Sequence, residues 1–217
     1  MIELHRVTKQ YRIGNNRRVV LRNVSARFSA GTNYGVLGIN GAGKSTLIRL
    51  LAGTEGPTAG RVRRTARVSW PLGLSVGFHP SMTGRENLKF AARAYGERVR
   101  DVTEFVEDFA EIGDFMDVPV RTYSSGMQAR LAFGLSMAIR FDCYLIDEST
   151  SVGDARFAAK AKEVFDRRRE TTDLIIVSHD MTTIRQFCDK AAILADGNLV
   201  FFDDLDDAIE VYRRMNF

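Results

Sequence analysis

Small residues, one lysine and two hydroxyl side chains lie together at residues 38–46, in a pattern suited to holding phosphate. They match G-x-x-x-x-G-K-[ST], with Gly38, Asn40, Gly41, Ala42, Gly43, Lys44, Ser45 and Thr46 as the expected contacts. Glycines let consecutive backbone N–H groups turn toward phosphate oxygens, and the N-terminus of a following helix adds positive potential. Lys44 is expected to bind the β- and γ-phosphates, and the Ser45 hydroxyl to ligate Mg²⁺. The sequence therefore predicts a site for ATP and Mg²⁺.

Two acidic residues follow a short apolar run that ends at Ile146. Asp147, at the tip of the predicted strand, is expected to hold Mg²⁺ through a water. Glu148 is placed to polarise an attacking water as a general base. Acids after a buried strand can also be plain helix caps, but their combination with the phosphate-binding pattern favours ATP hydrolysis.

A third candidate is His179, which follows the apolar run 174–177. In a parallel sheet the carboxyl ends of the strands converge on the ligand crevice. His179 is therefore expected to reach the γ-phosphate.

The elements that position these residues alternate between strand and helix, which predicts an α/β fold with a mostly parallel sheet covered by helices. Hydrophobic spacing predicts a helix over 44–52, and Thr83 and Glu86 have the form of a capping box at the start of another. Residues 12–18 are interpreted as a polar turn and 61–70 as one strand. The remaining predicted strands cover residues 2–7, 19–28, 34–37, 144–146, 174–177 and 191–194.

Composition restricts the class of protein. The chain has 217 residues, 45% of them hydrophobic, and a formal net charge of +4, which fits an ordinary globular domain. Its two cysteines form no disulfide or metal-binding framework. The N-terminus has no signal-like apolar core, and the apolar stretches fall short of a membrane span. We expect any membrane role to come through a partner.

The segment Tyr123-Ser124-Ser125-Gly126-Met127-Gln128 resembles the signature of ABC ATPases, usually written L-S-G-G-Q. The order of the motifs is also similar to that family. The resemblance implies that Tyr11 stacks on adenine and that Asp154 belongs to the D-loop. It further implies that Ser124, Ser125 and Gly126 contact ATP held by an opposite subunit. One phosphate loop and one signature per chain then imply a homodimer with two shared ATP sites.

The chain departs from the family pattern in two places. Ser125 and Met127 replace a glycine and the glutamine of the signature, and Ser125 to Gln128 also has capping-box form. The Q-loop glutamine is missing, since no glutamine occurs between Ser45 and Ser124. Ser75 and His79 are the only polar candidates in the corresponding region, 70–80.

Further stretches resemble one branch, the ATP-binding subunits of capsular-polysaccharide exporters of Gram-negative bacteria. They are residues 69–73, 83–87, 122–127, 130–137 and 152–157. The resemblance implies one nucleotide-binding domain over 1–217, with an N-terminal antiparallel β portion and a helical subdomain at about 81–136. It also implies an integral-membrane permease as partner, at the cytoplasmic face of the inner membrane. We expect residues 70–86 to contact that permease. The polysaccharide would be met only indirectly.

Three other readings stay open. The exported substrate can differ, or the chain can be a non-transport ABC ATPase acting on nucleic acid or ribosomes through a basic cluster, Arg61, Arg63, Arg64 and Arg67. A solvated strand face explains that cluster more simply, so no nucleic-acid partner is expected. A nucleotide-binding regulator without turnover is the third, and Glu148 and His179 argue against it.

Overall fold

The computed structural model describes residues 1–72, 77–147 and 155–216. These form two compact units. The first contains residues 1–71, 141–147 and 172–216, and the second contains 72, 77–140 and 155–171. No helix in the described ranges is long and apolar enough to cross a membrane.

A three-stranded antiparallel sheet, ordered β2-β1-β4, lies in the first unit. It comprises β1 (Ile2–Ile13), β2 (Asn16–Phe28) and β4 (Ala59–Arg64). The polar turn predicted over 12–18 is wrong, because both strands run through it and only Gly14 and Asn15 connect them. Gly14 has a φ of 60°, the left-handed conformation that a two-residue hairpin turn requires. Cross-strand hydrogen bonds extend the ladder even where the side chains are polar.

The larger sheet has the strand order β5-β6-β7-β3-β8-β9. Its members are β5 (Val68–Leu72), β6 (Cys143–Asp147), β7 (Asp173–Ser178), β3 (Tyr34–Leu37), β8 (Lys190–Ala195) and β9 (Asn198–Phe202). The single strand predicted over 61–70 is wrong, because this stretch contains parts of two strands, β4 and β5. The chain leaves one sheet after Arg64 and enters the other at Val68, so the two strands have different neighbours.

Helices α1 (Lys44–Ala52), α6 (Met181–Phe187) and α7 (Leu205–Asn216) accompany this sheet in the first unit. The helix predicted over 44–52 is confirmed. Its buried face contributes Leu47, Leu50 and Leu51 to a core that also contains Val36 of β3 and Cys143 of β6. Strand β3 is buried along its whole length, which is typical of a central parallel strand. The phosphate-binding pattern therefore begins at the most protected strand of the sheet.

The second unit is helical. It contains α2 (Gly84–Ala94), α3 (Val99–Ala110), α4 (Ser125–Ala138) and α5 (Ala155–Arg169), with short 3-10 helices at Gly113–Asp117 and Val120–Thr122. The predicted capping box is confirmed, with the Glu86 amide donating to Thr83 Oγ1 at 3.1 Å and the Thr83 amide donating to Glu86 Oε2 at 2.9 Å. Phe109 of α3 packs against Phe133 and Phe157.

Candidate nucleotide-binding and hydrolysis site

The glycine-rich loop connects β3 to α1, as the sequence predicts. Gly43 is the N-cap residue of α1, with a φ of 108°, which side chains rarely tolerate. A Cβ on Gly43 would overlap Cγ1 of Val20, and a Cβ on Gly38 would lie 2.9 Å from the Leu194 carbonyl oxygen. The neighbouring strands therefore require glycine at both ends of the loop.

Lys44 reaches back across this loop. Its Nζ donates to the Gly38 carbonyl at 2.5 Å and to the Ile39 carbonyl at 3.2 Å. The ammonium group is thus held over the residues expected to surround phosphate. Ser45 is exposed beside it, whereas Thr46 is only 6% exposed.

Three adjacent parallel strands end at the same edge of the sheet. Asp147, the last residue of β6, is in register with Val177 of β7, and Ser178 is in register with Leu37 of β3. The strand ends that carry Asp147, His179 and the glycine-rich loop therefore come within one residue of each other along the sheet. Asp147 is 9% exposed, so its carboxylate is largely shielded from bulk water.

His179 occupies a short connection between β7 and α6 that Asp180 fixes. The Asp180 carboxylate accepts from the Thr182 amide at 2.9 Å, the Thr183 amide at 3.1 Å and the Thr183 hydroxyl at 2.6 Å. The Asp180 amide donates to Ser178 Oγ at 2.8 Å. His179 is exposed between two anchored neighbours.

Tyr11 lies beside the same loop. Its hydroxyl is 3.3 Å from Thr46 Oγ1 and 2.7 Å from Glu55 Oε1. The structure therefore brings Tyr11 and the phosphate-binding pattern together across 35 residues of sequence. Glu55 was not identified from the sequence, because a lone acid in a loop carries no recognisable pattern.

The signature residues are in the second, helical unit. Ser124 is the N-cap of α4, and its Oγ accepts from the Met127 amide at 3.2 Å. The capping box predicted from Ser125 to Gln128 is wrong by one residue, because Ser125 already lies in the helix. Ser125 and Gly126 form the first turn of α4, where backbone N–H groups lack helical partners. This turn is a suitable place for an anion.

Glu148, Asp154 and Ser75 lie outside the described residues. Their predicted roles rest on the sequence alone. His79 is described and is exposed.

The described residues have the chemistry that Mg·ATP requires. Backbone amides around small residues, an ammonium group, an exposed hydroxyl at Ser45 and a shielded carboxylate at Asp147 lie at one edge of the sheet. Mg²⁺ in such sites keeps several waters and takes one or two protein oxygens plus substrate phosphates. Ser45 and Asp147 supply oxygens of that kind.

Comparison with known proteins gives extensive matches. The family model described as ABC transporter matches residues 21–151. The capsule polysaccharide export ATP-binding protein CtrD of Neisseria meningitidis serogroup B is 47% identical over 99% of this chain and all of that protein. The polysialic acid transport ATP-binding protein KpsT of Escherichia coli is 46% identical over 99% of both. BexA, an ATP-binding protein of Haemophilus influenzae, is 46% identical over 98% of both.

Solved structures agree at the level of the fold. The ATP-binding cassette MJ0796, in a dimeric post-hydrolysis state bound to ADP and phosphate, matches with a TM-score of 0.73 and 21% identity. That match covers 92% of this chain and 96% of the other. An ATP-binding subunit of an ABC transporter matches with a TM-score of 0.74 and 20% identity over 98% and 93%. With the α/β architecture and the phosphate loop in place, the chain belongs to the ABC transporter family.

Proposed function

We propose that this chain is the ATP-hydrolysing subunit of an exporter of capsular polysaccharide, working as a homodimer on an integral-membrane permease. The observation that carries the proposal is similarity over nearly the whole chain, at 46–47% identity, to proteins named for capsule polysaccharide export and polysialic acid transport. The chain covers 99–100% of those proteins, so they are matched from end to end. We place the subunit at the cytoplasmic face of the inner membrane, where the permease holds it.

Nucleotide binding is assigned to the first unit. The Tyr11 ring stacks on the base, and backbone amides of residues 38–46 surround the phosphates. When ATP binds, Lys44 Nζ donates to the β- and γ-phosphate oxygens in place of the Gly38 and Ile39 carbonyls. The phosphate oxygens are negatively charged and are therefore stronger acceptors. Ser45 and Asp147 would hold Mg²⁺, which would offset charge on the phosphates.

Glu148 acts as general base for hydrolysis. It takes a proton from a water whose oxygen attacks the γ-phosphorus, while the bond to the β,γ-bridging oxygen breaks and ADP leaves. His179 donates a hydrogen bond to the departing γ-phosphoryl group, and Lys44 stabilises the charge that develops on it. The products are ADP and phosphate.

The signature completes a site on a second copy of the chain. Ser124, Ser125 and Gly126 present the first turn of α4 to the γ-phosphate of ATP bound by the opposite subunit, and Asp154 contributes from the D-loop. Two ATP molecules then join two subunits, and hydrolysis separates them. The segment 70–86, with His79, transmits that movement to the permease.

The structure weakens the argument that the basic cluster, Arg61, Arg63, Arg64 and Arg67, binds nucleic acid. Arg64 is turned inward, and its guanidinium donates to the Leu51 carbonyl at 2.7 Å and to the Leu50 carbonyl, at the end of α1. Of the four, Arg61 and Arg63 are exposed, whereas Arg64 and Arg67 are partly buried. The cluster that would bind phosphates is therefore smaller than four side chains.

The shared-site mechanism is tested by the size of Glu148→Gln in solution. Light scattering with and without Mg·ATP is expected to show a monomer that becomes a dimer only with nucleotide, because ATP stays unhydrolysed between the subunits. Glu163→Gln, an exposed glutamate on α5, is the matched control and should not accumulate as a dimer. If Glu148→Gln binds ATP but its two copies do not form an ATP-dependent dimer even with the permease present, the assignment of the signature is wrong.

The substrate is tested by deletion of the gene in its own host. Loss of surface polysaccharide with accumulation inside the cell is expected, restored by the wild-type chain and not by Lys44→Ala. Lys162→Ala, an exposed lysine paired with Asp166, should restore export. Normal capsule in the deletion strain would assign the chain to another exported substrate.

A further inference from the structure

One carboxylate in the loop after α1 collects three hydrogen bonds. Glu55 Oε1 lies 2.8 Å from Lys9 Nζ and 2.7 Å from the Tyr11 hydroxyl, and Oε2 lies 3.0 Å from Arg49 Nε. Its side chain is 20% exposed. These contacts join the end of β1, helix α1 and the following loop at a single group.

The charge of Glu55 fixes the direction of these bonds. Burial raises its pKa, but hydrogen bonds from Lys9, Tyr11 and Arg49 outweigh that effect and hold the pKa at about 2. The carboxylate is therefore ionised at neutral pH and can only accept. The phenol hydrogen of Tyr11 must point to Glu55, so the Tyr11 oxygen accepts from Thr46 Oγ1 at 3.3 Å and Arg49 Nη2 at 3.5 Å.

The Tyr11 side chain is consequently restrained at its far end. A tyrosine has two rotatable side-chain bonds, and fixing its hydroxyl oxygen restricts χ1 but not χ2, because that oxygen lies on the χ2 axis. Lys9 Nζ also lies 5.1 Å from the centroid of the ring, within the range of a cation–π contact. The hydroxyl contacts therefore fix the position of the ring, and the Lys9 contact favours one orientation of its plane, before any nucleotide arrives.

We propose that Glu55 is a positioning residue for nucleotide binding, which holds the Tyr11 ring in the orientation that stacks on the base. The inference rests on the proposed role of Tyr11. Pre-organising a binding group removes the entropy cost of ordering it during binding. Because Glu55 acts through the aromatic ring, it strengthens binding of ligands that contain a base and leaves binding of phosphate chains alone unchanged.

The experiment compares Glu55→Ala, Glu55→Gln, Tyr11→Phe, Tyr11→Ala and the double variant Glu55→Ala/Tyr11→Phe. ATPase kinetics give KM and kcat, and inhibition by Mg·tripolyphosphate reports on a ligand without a base. Glu55→Ala and Tyr11→Phe are each expected to raise KM for ATP about three- to tenfold, the range for losing one such hydrogen bond, with kcat within about twofold. The double variant should be no worse than either single one, since both remove the same bond.

Glu55→Gln keeps an acceptor and should fall between wild type and Glu55→Ala. Inhibition by tripolyphosphate should be the same in all variants. Glu163→Ala is the control for loss of a glutamate elsewhere on the surface. If Glu55→Ala does not fold, Tyr11→Phe carries the test, because it removes only the hydroxyl.

The outcomes separate this inference from the proposed function. A normal KM in Tyr11→Ala would show that Tyr11 does not stack on the base, so the site assignment itself fails. A raised KM in Tyr11→Ala with a normal KM in Glu55→Ala and Tyr11→Phe overturns the positioning role alone. Equal weakening of ATP and tripolyphosphate in Glu55→Ala also overturns it, because the effect then passes through the phosphate loop.

Discussion

Asn87 holds the main chain of His79 from both sides. Its Oδ1 accepts from the His79 amide at 2.8 Å, and its Nδ2 donates to the His79 carbonyl at 3.2 Å. Nδ2 also lies 2.9 Å from the Thr83 carbonyl oxygen. Asn87 is 4% exposed on α2, whereas the His79 side chain is at the surface. These bonds fix the backbone of His79. Because they do not use its side chain, the exposed imidazole is available to a partner.

Replacing Asn87 by Ala should lower the free energy of unfolding. The His79 amide and the nearby carbonyls lose their partner, and an unsatisfied buried group costs about 1–3 kcal/mol. Chemical denaturation measures the change. Asn198→Ala, which removes one exposed amide whose Nδ2 is 3.5 Å from the Asp196 carbonyl, is the control and should stay within about 0.5 kcal/mol of wild type. Equal stability of the two variants would contradict the role given to Asn87.

Gly84→Ala should impair the signature without affecting ATP affinity. A Cβ on Gly84 would overlap the hydroxyl of Tyr123. Tyr123 is buried, its hydroxyl donates to the Phe115 carbonyl, and it directly precedes Ser124 in the chain. Displacing Tyr123 displaces the cap of α4. In the Glu148→Gln background, light scattering should show loss of the ATP-dependent dimer, while calorimetry gives unchanged ATP binding.

Gly77→Ala is the matched control for that prediction. Among the residues that the structure describes, no atom lies within 4 Å of a Cβ at Gly77, and the φ of Gly77 is not in the left-handed region. It should dimerise like its parent. A normal dimer in Gly84→Ala would show that the position of Tyr123 does not govern the signature.

Gly43→Ala should abolish ATP binding for two separable reasons. The new Cβ would overlap Val20 Cγ1, and the left-handed φ costs roughly 1–3 kcal/mol for a residue with a side chain. Adding Val20→Ala removes the overlap and leaves the backbone strain. The double variant should therefore recover only part of the affinity, as measured by calorimetry. Full recovery would show that the backbone conformation at Gly43 is unimportant.

Local patterns in the sequence predicted the parts of the site that depend on neighbouring residues. The loop before α1 and the capping box of α2 need only a few consecutive residues with defined side chains, so their positions were correct. The parallel-sheet prediction implied that the carboxyl ends of the strands lie at one edge, and the register of β6, β7 and β3 places them there. The strand ends carrying Asp147 and His179 meet as expected for that reason.

The sequence analysis did not predict features that depend on residues far apart in the chain. The strands β1 and β2 continue through polar residues 12–18 because each supplies the other's hydrogen bonds. The break between β4 and β5 depends on which sheet each strand joins. Glu55 acquires its role only when folding brings Lys9, Tyr11 and Arg49 around it. None of these relationships leaves a periodic signal in the chain.

The cap at Asp180 gives a prediction for both activity and pH dependence. Asp180→Ala removes the acceptor for the Thr182 and Thr183 amides, which should loosen His179 and lower kcat while KM for ATP stays near wild type. Asp180→Asn keeps an acceptor and should retain most of the activity, since Asn is an equally good N-cap. Steady-state ATPase kinetics distinguish the two.

Asp180→Asn should also change how the stability of the protein depends on pH in acid. Hydrogen bonds from the Thr183 hydroxyl and the Thr182 and Thr183 amides hold the pKa of Asp180 at about 2, below its ordinary 3.8. A lowered carboxyl pKa contributes stability above the ordinary value, and that stability is lost as pH falls toward 2. Asp180→Asn should therefore lose less stability than wild type between pH 4 and 2, as followed by thermal unfolding. Parallel acid profiles for the two proteins would show that Asp180 is not held ionised by its cap contacts.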